Sequence, residues 1–168
     1  ARYGVTTKYM DSLKEGDPVT IFVQPKKSFR LPEGKWEAPV VCFGPGTGIA
    51  PFRAFAQEIA VNGNRNGEDF VIYSGGQYFV DRLHIDELNY YHQQGVLSRE
   101  PQYAVSREGD KQRIQALMKC DEVELKRLID AGGTVYICGL EQMGNSVASE
   151  LNKIAGRDIK SQVKLDVY

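Results

Sequence analysis

The sequence predicts an α/β fold, a doubly wound five-stranded parallel sheet with helices on both faces. From residue 38 onward, short apolar runs typical of strands alternate with segments of helical periodicity. The connections are short, and the first strand run is continuously apolar, as expected for a strand covered on both faces. Ligands of such sheets bind outside the carboxyl ends of the strands, near the point where the strand order reverses. We therefore expect functional residues directly after the strands.

Each element of this sheet has its own signal in the sequence. The predicted strands are short β-branched or aromatic runs, at residues 39–43, 70–73, 102–105, 134–138 and 163–167. The predicted helices carry apolar residues at helical spacing, at residues 51–61, 83–94, 114–118, 123–131 and 143–155. Pro51 suits the first turn of its helix, and Gly95 and Gly132 follow the ends of two others.

The opening of the chain differs in character from the rest. Residues 18–25 read as one strand bounded by prolines, and a basic, turn-rich stretch follows them. A single strand leaves both of its edges unpaired, so this segment must pack on something else.

Composition and charge exclude several functions. The chain carries 21 basic and 22 acidic residues with a pI of about 6.2, so it lacks the basic field that binding to nucleic acid or an anionic membrane requires. No apolar run approaches the roughly 20 residues that span a bilayer. The three cysteines are widely spaced without a His/Cys cluster, so we expect no metal site. Three cysteines, odd in number and widely spaced, favour a reducing compartment, and we expect a cytoplasmic location.

Gly44, Gly46 and Gly48 alternate directly after the first predicted strand and lead into a helix. Glycines let the backbone approach a ligand closely, and a helix start offers free N–H groups to a phosphate. Ile49 stands where the dinucleotide fingerprint has its third glycine or alanine, and the Gly-Lys-Ser/Thr of a P-loop is missing. The loop is either a phosphate or ring pocket, which we favour, or a tight turn that only packs helix against strand.

A second polar cluster follows the third strand and consists of Ser106, Arg107, Lys111 and Arg113. One hydroxyl and three cations suit a phosphate monoester, because arginine provides forked, charge-assisted hydrogen bonds. The alternative is a solvated, charged helix start, since two acidic residues within the cluster cancel part of its charge.

Two single residues complete the candidates. Cys138 ends the fourth strand, where a thiol could touch a bound ring or act as a nucleophile, but a buried cysteine often packs as a small apolar residue. Tyr168 ends the chain, and a terminal aromatic either frays or lies across a planar ligand.

Four segments together resemble a known family. They read G-P-G-T-G-I-A-P-F-R-A-F from Gly44, S-R-E from Ser106, Y-I-C-G-L-E-Q-M from Tyr136, and D-V-Y at residues 166–168. In order and spacing the chain is similar to the NADP(H)-binding half of the ferredoxin–NADP reductase superfamily, and most similar to the diflavin reductases such as cytochrome P450 reductase.

The resemblance implies a role for each candidate residue. The loop residues Gly44, Gly46, Thr47 and Gly48 would hold the pyrophosphate and nicotinamide end of the nucleotide. The residues that would hold the adenosine 2′-phosphate, and so favour NADPH over NADH, are Ser106, Arg107, Lys111 and Arg113. The family often has tyrosine where Arg113 stands.

The resemblance also implies a hydride-transfer centre. Cys138 matches the cysteine beside the nicotinamide C4, Asp166 matches a carboxylate that assists the transfer, and Tyr168 matches the aromatic residue that covers the flavin ring. Residues 4–10 resemble a flavin pyrophosphate motif in which Thr7 would contact the phosphate, and residues 18–25 resemble a late strand of the FAD barrel. We therefore expect a remnant of an FAD-binding domain, a short β stub, at residues 1–37 and an NADP(H)-binding domain at residues 38–168.

The implied function is that of an NADPH-dependent flavoprotein oxidoreductase. Its cofactors would be NADP(H) and FAD, and it would pass electrons to a downstream flavin, haem or iron–sulfur acceptor after hydride transfer. Its implied partner is the remainder of the FAD-binding domain. Two alternatives are a non-catalytic NADP(H) sensor or docking module and an FMN-binding, flavodoxin-like carrier. The lack of a hydroxyl-rich phosphate loop after the first strand counts against the carrier.

Overall fold

A computed structural model describes residues 4–33, 37–63 and 68–168. The five strands within these residues are β1 (Val40–Phe43), β2 (Phe70–Gly76), β3 (Gln102–Val105), β4 (Thr134–Gly139) and β5 (Val163–Val167). The α-helices are α1 (Val5–Ser12), α2 (Ala50–Asn62), α3 (Ile85–Gln93), α4 (Ile114–Cys120), α5 (Glu122–Asp130) and α6 (Glu141–Ala155). Short 3₁₀ helices lie at Gly46–Ile49, Phe79–Asp81 and Lys160–Gln162.

The strands form one parallel sheet in the order β3-β2-β1-β4-β5. The chain moves outward from β1 through β2 to β3 and then returns to place β4 on the other side of β1. The strand order therefore reverses between β1 and β4, which confirms the doubly wound fold expected from the sequence. At this switch point the ends of β1 and β4 are in register, with Phe43 opposite Ile137.

Helices cover both faces of the sheet, because the side chains of β1 alternate between two core layers. Val40 and Cys42 face the layer that includes Phe52, Phe55 and Ile59 of α2. The other layer receives Val41 and Phe43 and includes residues of α4, α5 and α6. All four residues of β1 are fully buried, which explains the unbroken apolar run. Burying each large apolar side chain contributes roughly 1.5–3 kcal/mol, so this double layer dominates the stability of the fold.

Strand β2 extends three residues beyond its predicted end. Ser74, Gly75 and Gly76 pair with Tyr103, Ala104 and Val105 of β3. Their polar and glycine composition conceals the strand in the sequence. A Cβ atom at Gly75 would lie 2.9 Å from the carbonyl oxygen of Ala104, so the close approach of the two strands requires glycine at this position.

The prediction of a strand at residues 18–25 is wrong. These residues have no regular secondary structure and are exposed, Phe22 to 84%. A strand needs a partner for its N–H and C=O groups, and residues 18–25 have none among the described residues. Helix α1, which the sequence analysis did not anticipate, precedes this segment and buries none of its residues.

The end of the same opening segment packs on the sheet. Phe29 and Leu31 are buried in the core layer of α2, where the ring of Phe29 meets the ring of Tyr136 edge to face at 5.3 Å. The hydroxyl of Tyr136 donates a 2.6 Å hydrogen bond to the carbonyl oxygen of Arg30. Residues 29–31 are therefore part of the α/β core.

Candidate functional site

The glycine loop lies at the switch point of the sheet. The N–H of Gly44 donates to the carbonyl oxygen of Tyr73 at 2.9 Å, and the buried hydroxyl of Ser74 donates to the carbonyl oxygen of Gly44 at 2.8 Å. A Cβ atom at Gly48 would lie 2.1 Å from the carbonyl oxygen of Cys138, so packing alone requires glycine there. Gly46 has a φ of 60° and open space beside it. Packing therefore accounts for the glycine at position 48, and the open side of the loop at Gly46 remains accessible to a ligand.

Cys138 and Asp166 are direct neighbours at the carboxyl edge, since they pair in register between β4 and β5. Cys138 is only 6% exposed. Burial raises the pKa of its thiol, the nearby charge of Asp166 raises it further, and the charge of Lys26 lowers it. The group is therefore a neutral thiol near pH 7, which suits contact with a ring better than attack as a thiolate nucleophile.

Lys26 forms an ion pair with Asp166 at this edge. The sequence analysis missed Lys26, because it is separated from Asp166 by 140 positions and belongs to no recognisable motif. Only the folded chain brings the two residues together.

Tyr168 is held in place rather than frayed. Its N–H donates to the carbonyl oxygen of Gly139 at 3.1 Å, and its own carbonyl oxygen accepts from the N–H of Glu141 at 3.2 Å. Its hydroxyl shares a 2.8 Å hydrogen bond with the hydroxyl of Thr47 in the glycine loop. Tyr168 is nevertheless 66% exposed. The structure thus brings Thr47, Cys138 and Tyr168 to one edge of the sheet.

A cleft of about 420 Å³ extends from the glycine loop toward the second polar cluster. Its lining includes Pro45 of the glycine loop and Ser106 and Arg113 of the second cluster. The cleft therefore contacts the glycine loop only at Pro45, and Cys138 and Tyr168 do not line it.

The cations of the second cluster are exposed and available to an anion. Within the part of the chain that the structure describes, Arg107, Lys111 and Arg113 make no ion pair. The carboxylate of Glu108 instead accepts a 2.8 Å hydrogen bond from the N–H of Phe79. Lys111 lines a separate recess of about 110 Å³ beside Phe79. Glu108 and Asp110 therefore compensate part of the positive charge of the cluster, because a hydrogen bond from a backbone N–H does not remove the charge of a carboxylate.

Ser106 is fixed by the edge of β2. Its N–H and its hydroxyl both donate to the carbonyl oxygen of Gly76, at 3.0 and 3.1 Å. Arg107 follows with its own N–H bonded to the carbonyl oxygen of Gln77 at 2.8 Å. These bonds tie the backbone at Ser106 and Arg107 to the end of β2 and the residue after it, while the side chain of Arg107 remains in solvent.

Thr7 is not joined to this site. It is exposed on α1, and its side chain forms no hydrogen bond with any described residue. No group of three or more potential metal ligands occurs in the described ranges, and no helix there is long and apolar enough to cross a membrane.

Known proteins share this combination of fold and sequence. Residues 43–149 match the family model of the oxidoreductase NAD-binding domain. The sulfite reductase [NADPH] flavoprotein alpha-component of Shewanella sp. (strain MR-7) is 35% identical over 156 residues, which cover 92% of this chain and 26% of that protein. NADPH oxidoreductase A of Dictyostelium discoideum is 34% identical over 167 residues, which cover 98% of this chain and 25% of that protein.

A third relative is fused to a further enzyme. The bifunctional cytochrome P450/NADPH--P450 reductase 2 of Bacillus subtilis (strain 168) is 34% identical over 140 residues, which cover 81% of this chain and 13% of that protein. The chain therefore spans about a quarter or less of the length of these relatives. The family model and the relatives confirm the resemblance seen in the sequence motifs: the chain belongs to the oxidoreductase NAD-binding domain family and is related to the NADPH-dependent diflavin reductases.

Proposed function

We propose that this chain is the NADP(H)-binding part of a flavoprotein reductase that transfers hydride from NADPH to FAD and then electrons to a downstream acceptor. The observation that carries this proposal is the grouping of Thr47, Cys138, Asp166 and Tyr168 at one edge of the sheet, with an exposed basic cluster after β3 at the same edge. The proposal concerns the intact parent protein, of which this chain supplies the nucleotide site.

The nucleotide would lie along the carboxyl edge. The pyrophosphate would contact Gly44, Gly46, Thr47 and Gly48, where the loop backbone and the start of α2 favour an anion. The adenosine 2′-phosphate would lie in the second cluster, on Ser106, Arg107, Lys111 and Arg113. The unpaired cations there support this assignment, since charge-assisted hydrogen bonds to a phosphate dianion are the strongest available at a solvated surface.

The reacting end would lie at Cys138, Asp166 and Tyr168. The bound cofactors supply the redox chemistry, hydride from NADPH and its acceptor in FAD, and the protein orients them and excludes water. The neutral thiol of Cys138 and the carboxylate of Asp166 would line the nicotinamide position. The ring of Tyr168 would cover the flavin and move aside when the nicotinamide enters.

The flavin side of the proposal rests on the resemblance. Thr7 would contact the flavin phosphate, with residues 1–37 as a remnant of the FAD-binding domain and residues 38–168 as the NADP(H)-binding domain. The remaining FAD-binding domain would be the immediate partner, and a flavin, haem or iron–sulfur centre the electron acceptor. We also propose a cytoplasmic location, which the absence of disulfides among the three described cysteines supports.

Thermal unfolding with added nucleotides tests this function. NADP⁺ at about 100 times its dissociation constant should stabilise the chain by roughly 2.7 kcal/mol, whereas NAD⁺ at the same concentration should give much less. No stabilisation by NADP⁺ would overturn the proposal. An equal response to both nucleotides would remove the role of the basic cluster, and stabilisation by FMN instead would favour the flavodoxin-like alternative.

A further inference from the structure

The ion pair between Lys26 and Asp166 crosses from the opening segment to the last strand of the sheet. Both side chains are partly exposed, Lys26 to 49% and Asp166 to 40%. An exposed pair of this kind contributes little to folding, typically less than about 1 kcal/mol. The effect of this ion pair therefore depends on which groups lie close to its two charges.

Lys26 has a fixed anchor close by. The N–H of Phe29 donates to the carbonyl oxygen of Lys26 at 3.1 Å and closes a turn. Phe29 is buried between the rings of α2 and Tyr136, with centroid distances of 6.1 Å to Phe55 and 5.3 Å to Tyr136. The turn that carries the ammonium group is therefore attached to the core, although residues 18–25 before it are not.

Asp166 is held from the other side by the sheet. It pairs with Cys138 in the β4–β5 register, and the backbone of its near neighbour Tyr168 is bonded to Gly139. The carboxylate thus stands between a cation and a buried thiol. The charge of Lys26 reaches that thiol as well, since it lowers the pKa of Cys138 against the combined effect of burial and Asp166.

We propose that Lys26 is a positioning residue of the hydride-transfer centre, which fixes the carboxylate of Asp166 beside Cys138 and balances its charge. This inference rests on the proposed function and adds to it a residue that none of the motifs contains. In its absence the carboxylate would be free to rotate into solvent, and its negative charge would act on the thiol without compensation.

The rate at which Cys138 reacts with a thiol reagent depends on the charges of Lys26 and Asp166, and it can be measured on this chain alone. A Cys120→Ser background removes the exposed thiol, while Cys42 is fully buried. Methyl methanethiosulfonate at pH 8 and low salt then reports on Cys138, with the modified peptide identified by mass spectrometry. The charged groups within the described residues that act on this thiol are Asp166 and Lys26.

Lys26→Met should slow the modification of Cys138 about threefold. Loss of the ammonium charge raises the thiol pKa and so lowers the thiolate fraction, and the greater nucleophilicity of the more basic thiolate recovers part of the loss. Lys26→Arg should restore the rate, and 1 M salt should shrink the difference because it screens exposed charges. Lys27→Met, the matched control on the adjacent residue, should react like the parent.

The same variant made in an Asp166→Asn background tests whether Lys26 acts through the carboxylate. There the direct action of the Lys26 charge on the thiol remains but its action through the carboxylate is lost, so Lys26→Met should have a smaller effect, and a full threefold change would overturn the positioning role. A Lys26→Met rate equal to that of Lys27→Met would also overturn it. A pH titration of the Cys138 ¹³Cβ resonance gives the thiol pKa of each variant, and these pKa values must rank the variants in the same order as the reaction rates. This measurement also serves if Cys138 reacts too slowly to be modified.

Stabilisation by NADP⁺, measured on the parent and on Lys26→Met, separates the two proposals. If NADP⁺ stabilises both proteins but their thiols react alike, only the role of Lys26 fails. If NADP⁺ stabilises neither protein, the proposed function fails, at whatever rate Cys138 is modified.

Discussion

The hydroxyl groups of Thr47 and Tyr168 share a hydrogen bond of 2.8 Å that joins the glycine loop to the last residue of the chain. The loop hydroxyl is also the group that we assign to the nucleotide, and the ring of Tyr168 occupies the edge where the nicotinamide would enter. In the proposed complex, nucleotide binding and this hydrogen bond would compete for the hydroxyl of Thr47. The hydrogen bond would keep the ring of Tyr168 in place until a bound nucleotide takes over the contact with Thr47.

Tyr168→Phe should consequently strengthen NADP⁺ binding. The variant keeps the ring but removes its hydroxyl, so the nucleotide no longer has to break a hydrogen bond with a net value of about 0.5–1.5 kcal/mol. We expect a dissociation constant roughly two- to tenfold lower, measured by isothermal titration calorimetry. Adenosine 2′,5′-bisphosphate, which has no nicotinamide, is the control ligand and should bind both proteins equally. Equal strengthening for the two ligands would mean that the hydroxyl acts on the loop rather than on nicotinamide entry.

Arg107→Ala should weaken NADP⁺ binding and reduce the preference for NADP⁺ over NAD⁺. A charge-assisted hydrogen bond to a charged group is worth about 1.5–3 kcal/mol, so we expect a loss of roughly 10- to 100-fold in affinity for NADP⁺ alone. Titration of both nucleotides checks this. Arg157→Ala, after the carboxyl end of α6, removes an exposed arginine remote from the cluster and should leave both affinities unchanged. A parallel loss for NAD⁺ in Arg107→Ala would contradict a contact specific to the 2′-phosphate.

The sheet could be predicted from the sequence because its signals are local. The bounds of β3 and β5 agree with the expected runs, and β1 differs by one residue. Helix α1 was not predicted, and it buries none of its residues. The supposed strand at residues 18–25 has the right local pattern, but strand formation depends on a partner elsewhere in the chain.

Some residues of the candidate site could likewise be predicted from the sequence, and others could not. Once the strands are ordered, the carboxyl edge is determined by topology, so Cys138, Asp166 and the glycine loop could be expected to meet there. The hydrogen bond between Thr47 and Tyr168 and the ion pair of Lys26 depend on side-chain geometry across more than a hundred positions. No local pattern encodes such contacts.

Asp121→Asn should destabilise the fold by about 1–3 kcal/mol. Asp121 accepts hydrogen bonds from Arg99 at 2.7 Å and from the hydroxyl of Tyr73 at 3.0 Å; Tyr73 is fully buried, and the side chains of Arg99 and Asp121 are about three-quarters buried. Loss of the carboxylate charge leaves the guanidinium of Arg99 desolvated without its counter-ion. Urea unfolding measures the change. Asp130→Asn breaks the exposed pair with Lys126 and, as the control, should cost less than about 1 kcal/mol.

Stability should decline above pH 9 because buried acids remain protonated in the folded state. Burial raises the pKa of Cys42 above its ordinary value of 9.0 and that of Tyr136 above 10.0. The unfolded chain releases these protons first, so their contribution is complete below pH 9 and is lost as the pH rises, at up to about 1.4 kcal/mol per pH unit for each group. Unfolding free energies between pH 7 and 10.5 measure this slope.

A variant without the Cys42 thiol isolates one of these groups. Cys42→Ala should lower the stability at pH 7, because it leaves a cavity, but should flatten the decline above pH 9. The exposed Cys120→Ala is the control and should keep the parent slope. An unchanged slope in Cys42→Ala would contradict the assignment to this thiol.

Phe29→Ala should destabilise the α/β core by about 3–5 kcal/mol, although Phe29 precedes the first strand. Its ring is 8% exposed and contacts the aromatic rings of Phe52, Phe55 and Tyr136, so its removal opens a cavity in the α2 layer. Phe22→Ala, in the same opening segment but exposed, is the control and should change the unfolding free energy by less than about 0.5 kcal/mol.

Because the turn at Lys26 depends on Phe29, a Phe29→Ala protein that still folds should also show the slower thiol modification of Lys26→Met. Normal stability in Phe29→Ala would mean that residues 26–31 are not anchored to the core, and Lys26 would then have no fixed position from which to hold Asp166.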